Sequence, residues 1–476
     1  MIRLAGLETE YGCLTEDPAG TAAIVAKVRN WLFSGHRYGL VDVHQREWDE
    51  PAGNGGFLFN GGRAYIDMGH LEYCTPECLQ LRDLIRYDAA GDRLLNRALQ
   101  ALGLAGTAGF VRNNIDYYTG ATFGCHENYL VRRNAVFDEK QIGALLSFLT
   151  LRVLYTGAGR LGRSPLAEPH DPEKSAFSTS FQISQRADYI HNDLFEWVQF
   201  NRAIINTRDE PLADSRKYRR LHLLHGDTSV LPSTLALKVG TTALMLDLLE
   251  ANLLPEIQLA DSVAVLHQLS VTPDGPWRVR EENGKESDAI DLLRRFHGVA
   301  QRELRGRDPE TDFILADWAS VLDSLSSDRT ALIGRVDWIT KQWLLQSFVE
   351  REGITWDDPW LRSLDLEFHH IETNRSLALP LAITPDEIGV TDAGLEQSLL
   401  TPPSDTRAHV RSILLRALAG RSHSYFVDWE TVDANGNRPL SLLDPFDCRE
   451  KLAQDWLAQL DRHSEPKPGK TPTDAG

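Results

Sequence analysis

The stretch "GLETEYG", residues 6–12, decides how the chain is interpreted, because two glutamates stand two positions apart in an apolar run. Successive side chains of a β-strand point to opposite faces, so Glu8 and Glu10 would project from the same face of a strand. Two carboxylates held this close repel each other. That face is therefore either solvated or occupied by a cation, and the pair taken alone favours the solvated alternative.

The composition limits the classes of protein to which the chain can belong. The chain has 476 residues, is 42% hydrophobic and carries 68 acidic against 50 basic side chains, for a formal charge of −18. It is long enough for a large core plus a smaller unit. Nucleic-acid binding needs a basic footprint, so no nucleic-acid partner is expected. The most apolar stretch, "TTALMLDLLEANLL", contains two acidic residues and is too short to cross a bilayer, so no membrane association is expected.

Cysteine usage and the first residues indicate a cytoplasmic protein. The five cysteines form no CxxC motif and are not followed by zinc-ligand spacing, which favours reduced thiols. The sequence "MIRLAGLETEYG" lacks the long apolar segment and cleavage site of a signal peptide. We therefore expect a cytoplasmic location.

The pattern along the chain predicts an α/β fold. Two alternating apolar runs flank Asn60-Gly61-Gly62, which predicts a hairpin, and amphipathic helices follow it. We predict one large domain over residues 1–400, a small C-terminal domain over 401–462, and a disordered tail over 463–476, where large apolar residues are lacking.

The predicted hairpin carries a group of polar side chains in "GGRAYIDMGHLEYCTPEC", residues 61–78. Arg63, Tyr65 and Asp67 share one strand face, and Glu72 and Glu77 follow. This segment is either a polar surface hairpin or a set of oxygen ligands with a base. Hard cations such as Mg²⁺ bind carboxylate and phosphate oxygens.

Two later segments add basic and imidazole groups. In "FGCHENYLV", His126 and Asn128 share a strand face, although a lone histidine is more often structural than a ligand. "INTRDEPLADSRKYRRLHLLHGD" contains Arg208, Arg220 and His222; it is either a charged surface segment or a phosphate-binding one, since a buried arginine needs a partner and phosphate fits its fork. No GxxxxGK[ST] phosphate loop is present.

Together these segments resemble the Pup ligase/depupylase family, which attaches or removes the prokaryotic ubiquitin-like protein Pup. The resemblance rests on "GLETEYG", "NGGRAYIDMGHLEYCTPEC", "FGCHENYLV", "SQRADYI", "IINTRDEPLADSRKYRRLHLLHGD" and "LKVGTTALMLDLLE". Weaker similarity continues through "DWITKQWLL", "PPSDTRAHVR" and "VDWETVDANGNRPLSLLDPFDC", so it covers nearly the whole chain.

The resemblance implies a glutamine synthetase-like α/β catalytic domain, with an antiparallel sheet that cradles ATP and Mg²⁺, and a small C-terminal domain. It implies Asp67 as the catalytic residue. The implied metal ligands are Glu8, Glu10, Tyr65, Glu72, Glu77 and His126. We predict that ATP is bound by Arg63, Asn128, Arg208, Arg220 and His222. Because Pup is acidic, Arg407 and Arg411 are candidates for modifier binding, unless they are ordinary solvated arginines at a helix start.

Within the family, the chain is more similar to the ligases than to the depupylases. The connection from Gly12 to Asn60 is too short for the long depupylase insertion. The usual ligase pattern DxGxHPEYATPE reads "DMGHLEYCTPE" here, one residue shorter. The expected activity is ATP-dependent isopeptide-bond formation between the C-terminal glutamate of Pup, or a Pup-like modifier, and lysines of protein substrates, through a γ-glutamyl phosphate. The alternatives are a depupylase or deamidase, a small-molecule glutamate–amine ligase and an inactive scaffold.

Overall fold

A large sheet forms the centre of the protein. The computed structural model describes residues 3–17, 19–46, 50–117, 120–162, 181–196, 202–421, 424–434 and 437–464. Its strands are β1 (Ala5–Thr15), β2 (Gly39–Val41), β3 (Gly55–Leu58), β4 (Arg63–Asp67), β5 (His70–Cys74), β6 (Ala108–Val111), β7 (Cys125–Arg132), β8 (Arg160–Leu161), β9 (Phe181–Gln182), β10 (Ile190–Phe195), β11 (Arg202–Asn206), β12 (Tyr218–Leu223), β13 (Arg278–Arg280), β14 (Glu286–Asp288), β15 (Tyr425–Val427), β16 (Thr431–Ala434) and β17 (Leu440–Ser441).

The strands of the main sheet follow the order β10-β11-β12-β7-β1-β5-β4-β3-β2, and β6 also pairs with β1. Neighbouring strands of this sheet run antiparallel, apart from the parallel pair β10–β11. The predicted hairpin around Asn60 is formed by β3 and β4. The predicted α/β class with a large antiparallel sheet is confirmed.

Helices cover the apolar face of the sheet and extend the core beyond it. They are α1 (Gly20–Phe33), α2 (Leu81–Ala101), α3 (Glu139–Leu151), α4 (Val153–Thr156), α5 (Pro232–Glu250), α6 (Ser262–Ser270), α7 (Ala289–Leu304), α8 (Pro309–Ser326), α9 (Asp337–Glu352), α10 (Pro359–Phe368), α11 (Asp392–Ser398), α12 (Arg407–Ala419) and α13 (Glu450–Ser464). Within the described ranges, no helix combines the length and apolarity needed to span a membrane.

Helix α5 lies in the middle of the largest core and explains the most apolar stretch of the sequence. It is buried along almost its whole length, and it packs against the sheet on one side and against α7 and α8 on the other. A helix that is apolar all round is expected in such a position. The stretch is therefore a central core helix.

Strand β1 is the central strand of the site described below. Its side chains alternate: Leu7, Thr9 and Tyr11 are buried, whereas Glu8 and Glu10 lie half-buried on the opposite face. The buried face packs on the helical core, so a shift of one residue in register would place both glutamates in the core. Register and burial therefore fix the face on which the two carboxylates lie.

The C-terminal unit contains α12, α13 and the sheet β15-β16-β17. Its core includes Leu414 and Trp456, and it is continuous with Leu40 and Phe57 of β2 and β3. The boundary at residue 400 stays a prediction. Residues 463 and 464 end α13, and the rest of the predicted tail, 465–476, lies outside the described residues.

Candidate active site

Five adjacent strands bring the predicted polar side chains to one face of the sheet. On one side of β1, Glu8 pairs in register with His126 of β7. On the other side, Glu10 pairs with Glu72 of β5, which itself pairs with Tyr65 of β4. Alternate side chains of a strand point to the same face, and paired residues of neighbouring strands lie opposite each other. Residues far apart in the sequence therefore lie together on this face.

Glu8 is at the centre of the first group of possible metal ligands, which it forms with His126 and His222. Oε2 of Glu8 lies 3.1 Å from Nδ1 of His126 and 3.7 Å from Nε2 of His222. Asn128 donates a hydrogen bond to Oε1 of Glu8 (3.0 Å), and Arg220 lies 3.9 Å from the same oxygen. Burial opposes ionisation, yet the hydrogen bond from His126 and the nearby positive charges hold the pKa of Glu8 well below its ordinary range.

Glu10, Asp67 and Glu72 form a second group, composed entirely of carboxylates. Burial, followed by the negative charges of Glu8, Glu10 and Asp67, raises the pKa of Glu72 well above its ordinary value. A divalent cation relieves such repulsion and favours the ionised forms. This second group has the all-oxygen donor set that Mg²⁺ prefers.

Two further features fit a bound cation. Nε2 of His222 is buried and lacks a hydrogen-bond partner among the described residues, although it faces Glu8. Gly124 separates the two groups, and a Cβ there would lie 2.4 Å from Nε2 of His126 and 3.1 Å from Oε1 of Glu10. Glycine therefore leaves open the space between the two groups.

The shortened turn of the hairpin places Asp67 at the rim of the site. Strands β4 and β5 are joined by Met68 and Gly69 alone, both with positive φ (45° and 92°). Two-residue hairpin turns require such values. The Met68 side chain is 80% exposed, so the turn projects into solvent directly beside Asp67.

A cavity of about 250 Å³ opens beside Glu8. Its lining residues include Leu4, Gly6, Glu8, Arg63, Tyr65, Cys74, Thr75, Asn128, Leu130, Leu212, Arg220, Trp429 and Pro445. Thr75 and Trp429 were not predicted as site residues. Both lie in segments that carry the family resemblance, but only the fold brings the Trp429 ring, from the C-terminal unit, to a cavity beside β1. Charged and polar residues of both signs thus line part of the cavity, and apolar residues together with Trp429 line the rest.

Arg63 and Tyr65 lie side by side at the cavity wall. The guanidinium of Arg63 bonds to Asp42 (3.0 Å) and Glu50 (2.8 Å), and it lies 4.2 Å from the centre of the Tyr65 ring. Burial raises the pKa of Tyr65 well above its ordinary value, so its phenol stays protonated at neutral pH. The metal role of Tyr65 stays a prediction.

Arg208 lies further from the cavity than Arg220. It is partly exposed and donates to Glu210 (2.7 Å), whose other oxygen lies 3.6 Å from Arg220. Glu210 therefore links the two arginines in a chain of charges that ends at Glu8. Of the two, only Arg220 lines the cavity in the described part of the chain.

Glu77, Arg407 and Arg411 form a buried cluster of charges. Glu77 belongs to neither ligand group; instead its carboxylate accepts hydrogen bonds from Arg407 (2.7 Å) and Arg411 (2.5 Å). Arg407 and Arg411 are 3% and 0% exposed, so they are not ordinary solvated arginines; Arg407 and Glu77 also line the cavity. The triad joins α12 to the segment after β5, and the metal role of Glu77 and the modifier-binding role of the two arginines stay predictions.

The fold and the site together define an α/β protein with a carboxylate-lined face that could hold divalent cations, next to a cavity lined by Arg220, Asn128 and Trp429. Comparisons with known proteins place it further. The model of the Pup-ligase protein family matches residues 3–433. The chain belongs to this family, as the sequence motifs predicted.

Named relatives cover the chain almost completely. The Pup–protein ligase of Rhodococcus opacus is 32% identical over 96% of this chain and 99% of its own length, and that of Nocardia farcinica is 33% identical over the same shares. The crystal structure of Pup with its ligase PafA superposes with a TM-score of 0.82 at 29% identity, covering 97% of this chain and 92% of that one. PafA in complex with ADP gives 0.77 at 31% identity, over 87% and 92% of the two chains.

Proposed function

We propose that the chain is an ATP-dependent ligase that joins the side-chain carboxylate of a C-terminal glutamate, in Pup or a Pup-like modifier, to lysines of protein substrates. The observation that carries this proposal is the pair of ligand groups around Glu8 and Glu10, open to a cavity, in a chain of the Pup-ligase family. Relatives described in complex with Pup and with ADP support the two ligands.

The residues of the site fit Mg·ATP. Glu10 and Glu72 would hold one Mg²⁺, and Glu8, His126 and His222 offer a second, mixed site. Mg²⁺, when bound, neutralises charge on the phosphates of ATP. Trp429 offers its ring to the adenine. Arg220 and Asn128 lie beside Glu8 in the cavity and can bind the phosphates there.

The reaction has two steps. First, the side-chain carboxylate of the modifier attacks the γ-phosphorus of ATP, forming a γ-glutamyl phosphate and releasing ADP. Second, the lysine amine attacks the acyl carbon, the isopeptide bond forms and phosphate leaves. The lysine must first lose a proton, because an ammonium group has no free electron pair.

Asp67 is the proposed acceptor of that proton. It lies at the end of β4, beside the exposed turn at Met68, where a large protein substrate has access. Its position at the outer edge of the acidic group allows it to meet both the activated carboxylate and an incoming lysine.

Reconstitution with purified components tests the proposal. Wild-type protein, ATP, Mg²⁺, Pup ending in glutamate and a lysine-bearing protein should yield an adduct with the summed mass minus water, together with one ADP per bond. Loss of a preformed adduct, or deamidation of Pup ending in glutamine, would instead identify a depupylase. ADP release with free glutamate and small amines would identify a small-molecule ligase, and no turnover of any kind would identify an inactive scaffold.

The cytoplasmic location stays a prediction. All five cysteines are free, as expected for a protein in a reducing compartment.

A further inference from the structure

Two arginines that do not line the cavity lie side by side near Glu10. Arg186 donates from Nη1 to the carbonyl oxygen of Phe123 (2.7 Å), and Arg202 donates from Nη2 to that of Thr122 (2.8 Å). Since Thr122 and Phe123 are consecutive, the two guanidinium groups are neighbours. The next carbonyl, that of Gly124, accepts a hydrogen bond from the backbone of Glu10 (3.2 Å).

Neither guanidinium has an acidic partner in the described part of the chain. Arg186 is 1% exposed, and its Nε, like Nη1 of Arg202, is buried without a hydrogen-bond partner there. Asp227 is near, but its carboxylate accepts from three backbone amides and the hydroxyl of Ser184. Two positive charges therefore lie together in a poorly solvated place, with the charges of Glu10 and Asp227 nearby but with no carboxylate hydrogen-bonded to either guanidinium among the described residues.

Three other buried arginines in the described ranges are each paired with a carboxylate. Arg152 donates hydrogen bonds to both carboxylate oxygens of Glu127 (2.6 and 2.9 Å). Arg112 forms an ion pair with Asp88, and Arg411 forms one with Glu77. Burial, and after it the charge of Arg202, lowers the pKa of Arg186 to about 10, so the pair is still charged at neutral pH. The contrast indicates that the missing anion comes from a ligand.

The position of the pair favours a carboxylate of the modifier over the nucleotide. The described lining of the cavity on the Glu8 side includes neither arginine. The pair instead lies behind Phe123, whose ring stacks on His70 (4.5 Å between centroids), and His70 pairs across the hairpin with Asp67. Phe123, whose carbonyl oxygen accepts from Arg186, therefore connects the arginine pair to the turn that carries Asp67.

We propose that Arg186 and Arg202 bind the α-carboxylate of the modifier's C-terminal residue. The inference rests on the proposed ligase function and deepens it. A C-terminal glutamate carries two carboxylates, of which only the side-chain group is to be activated. Two guanidinium forks that hold the α-carboxylate leave the side-chain carboxylate free to extend towards Glu10 and Glu72. They thus select which carboxylate reacts.

The test combines substitution of Arg202 with removal of the negative charge of the modifier's α-carboxylate. Conjugation is measured with two C-terminal Pup peptides that both end in glutamate, one with a free α-carboxylate and one with an α-carboxamide. In wild type, the amide should raise the peptide KM on the order of 100-fold, as for loss of a buried, hydrogen-bonded charge pair. In Arg202→Gln, the KM for the free-acid peptide should rise by a similar factor. The KM for the amide peptide should be little higher than with wild type, and the KM for ATP should not change.

Two variants complete the design. Arg202→Lys keeps the charge but loses the fork, and should fall between wild type and Arg202→Gln; it also serves if Arg202→Gln does not fold. Arg278→Gln, an exposed arginine on β13, should match wild type with both peptides.

The outcomes separate the inference from the function on which it rests. An Arg202 variant that keeps the wild-type ratio of acid to amide, or that raises the KM for ATP, overturns the inference and points to phosphoryl binding, while the ligase function stands. Equal KM values of wild type for the acid and amide peptides would also overturn the inference. A wild-type protein that conjugates neither peptide overturns the function, and the inference with it.

Discussion

The buried triad of Glu77, Arg407 and Arg411 predicts a large loss of stability when its carboxylate is removed. Although burial alone would raise the pKa of Glu77, the charges of Arg411 and Arg407 lower it from 4.5 to about 2. At about 1.4 kcal/mol per pKa unit, this difference corresponds to about 3 kcal/mol of stability. Breaking a buried ion pair from one side costs about 3–5 kcal/mol, which agrees.

Glu77→Gln should therefore lower the free energy of unfolding by about 3 kcal/mol at pH 7, measured by urea unfolding followed by circular dichroism. Asp461→Asn is the matched control, since it removes the carboxylate of an exposed pair with Arg421 and should cost less than about 1 kcal/mol. Equal, small effects of the two substitutions would refute the structural role of the triad.

The pH dependence gives an independent check. The folded-state pKa of Glu77 lies below the unfolded-state value, so its contribution is fully present above about pH 4.5 and is lost as the pH falls towards 2. The stability difference between wild type and Glu77→Gln should therefore shrink from pH 5 downwards. A difference that stays constant over this range would contradict the assigned ion pairs.

Three further substitutions test the cleft. Glu8→Ala should lose Mg·ATP binding in calorimetry, whereas Glu16→Ala, an exposed glutamate just after β1, should bind like wild type; equal affinities would contradict the metal assignment. Trp429→Ala should weaken ADP binding roughly 5- to 150-fold, for a lost base stack of about 1–3 kcal/mol, and Trp429→Phe should keep most of the affinity. Mg²⁺ should raise the melting temperature of wild type by mass action and that of Glu72→Gln much less; an equal rise would place the ion elsewhere.

The parts of the site that lie on single strands could be predicted from the sequence. The period of two placed Glu8 with Glu10, and Arg63 with Tyr65 and Asp67, because strand geometry is local. The turn signal at Asn60-Gly61-Gly62 gave the hairpin for the same reason.

Partners across the fold could not be predicted in this way. Glu77 and Arg407 are 330 positions apart, and a glutamate beside a carboxylate-rich hairpin is as typical of a metal ligand as of an ion pair. Likewise, no pattern near Trp429 indicates that its ring reaches a cavity beside β1. The neighbouring guanidinium groups of Arg186 and Arg202 are visible only where both meet consecutive carbonyls.

The most direct test of the account is the Asp67→Asn variant, assayed for nucleotide binding and for conjugation on the same preparation. If Asp67 accepts the lysine proton, ADP affinity should equal that of wild type while the rate of conjugation falls at least about 100-fold. Robust conjugation by this variant would contradict the assignment of the base, and a loss of nucleotide affinity would show that Asp67 serves the cation instead.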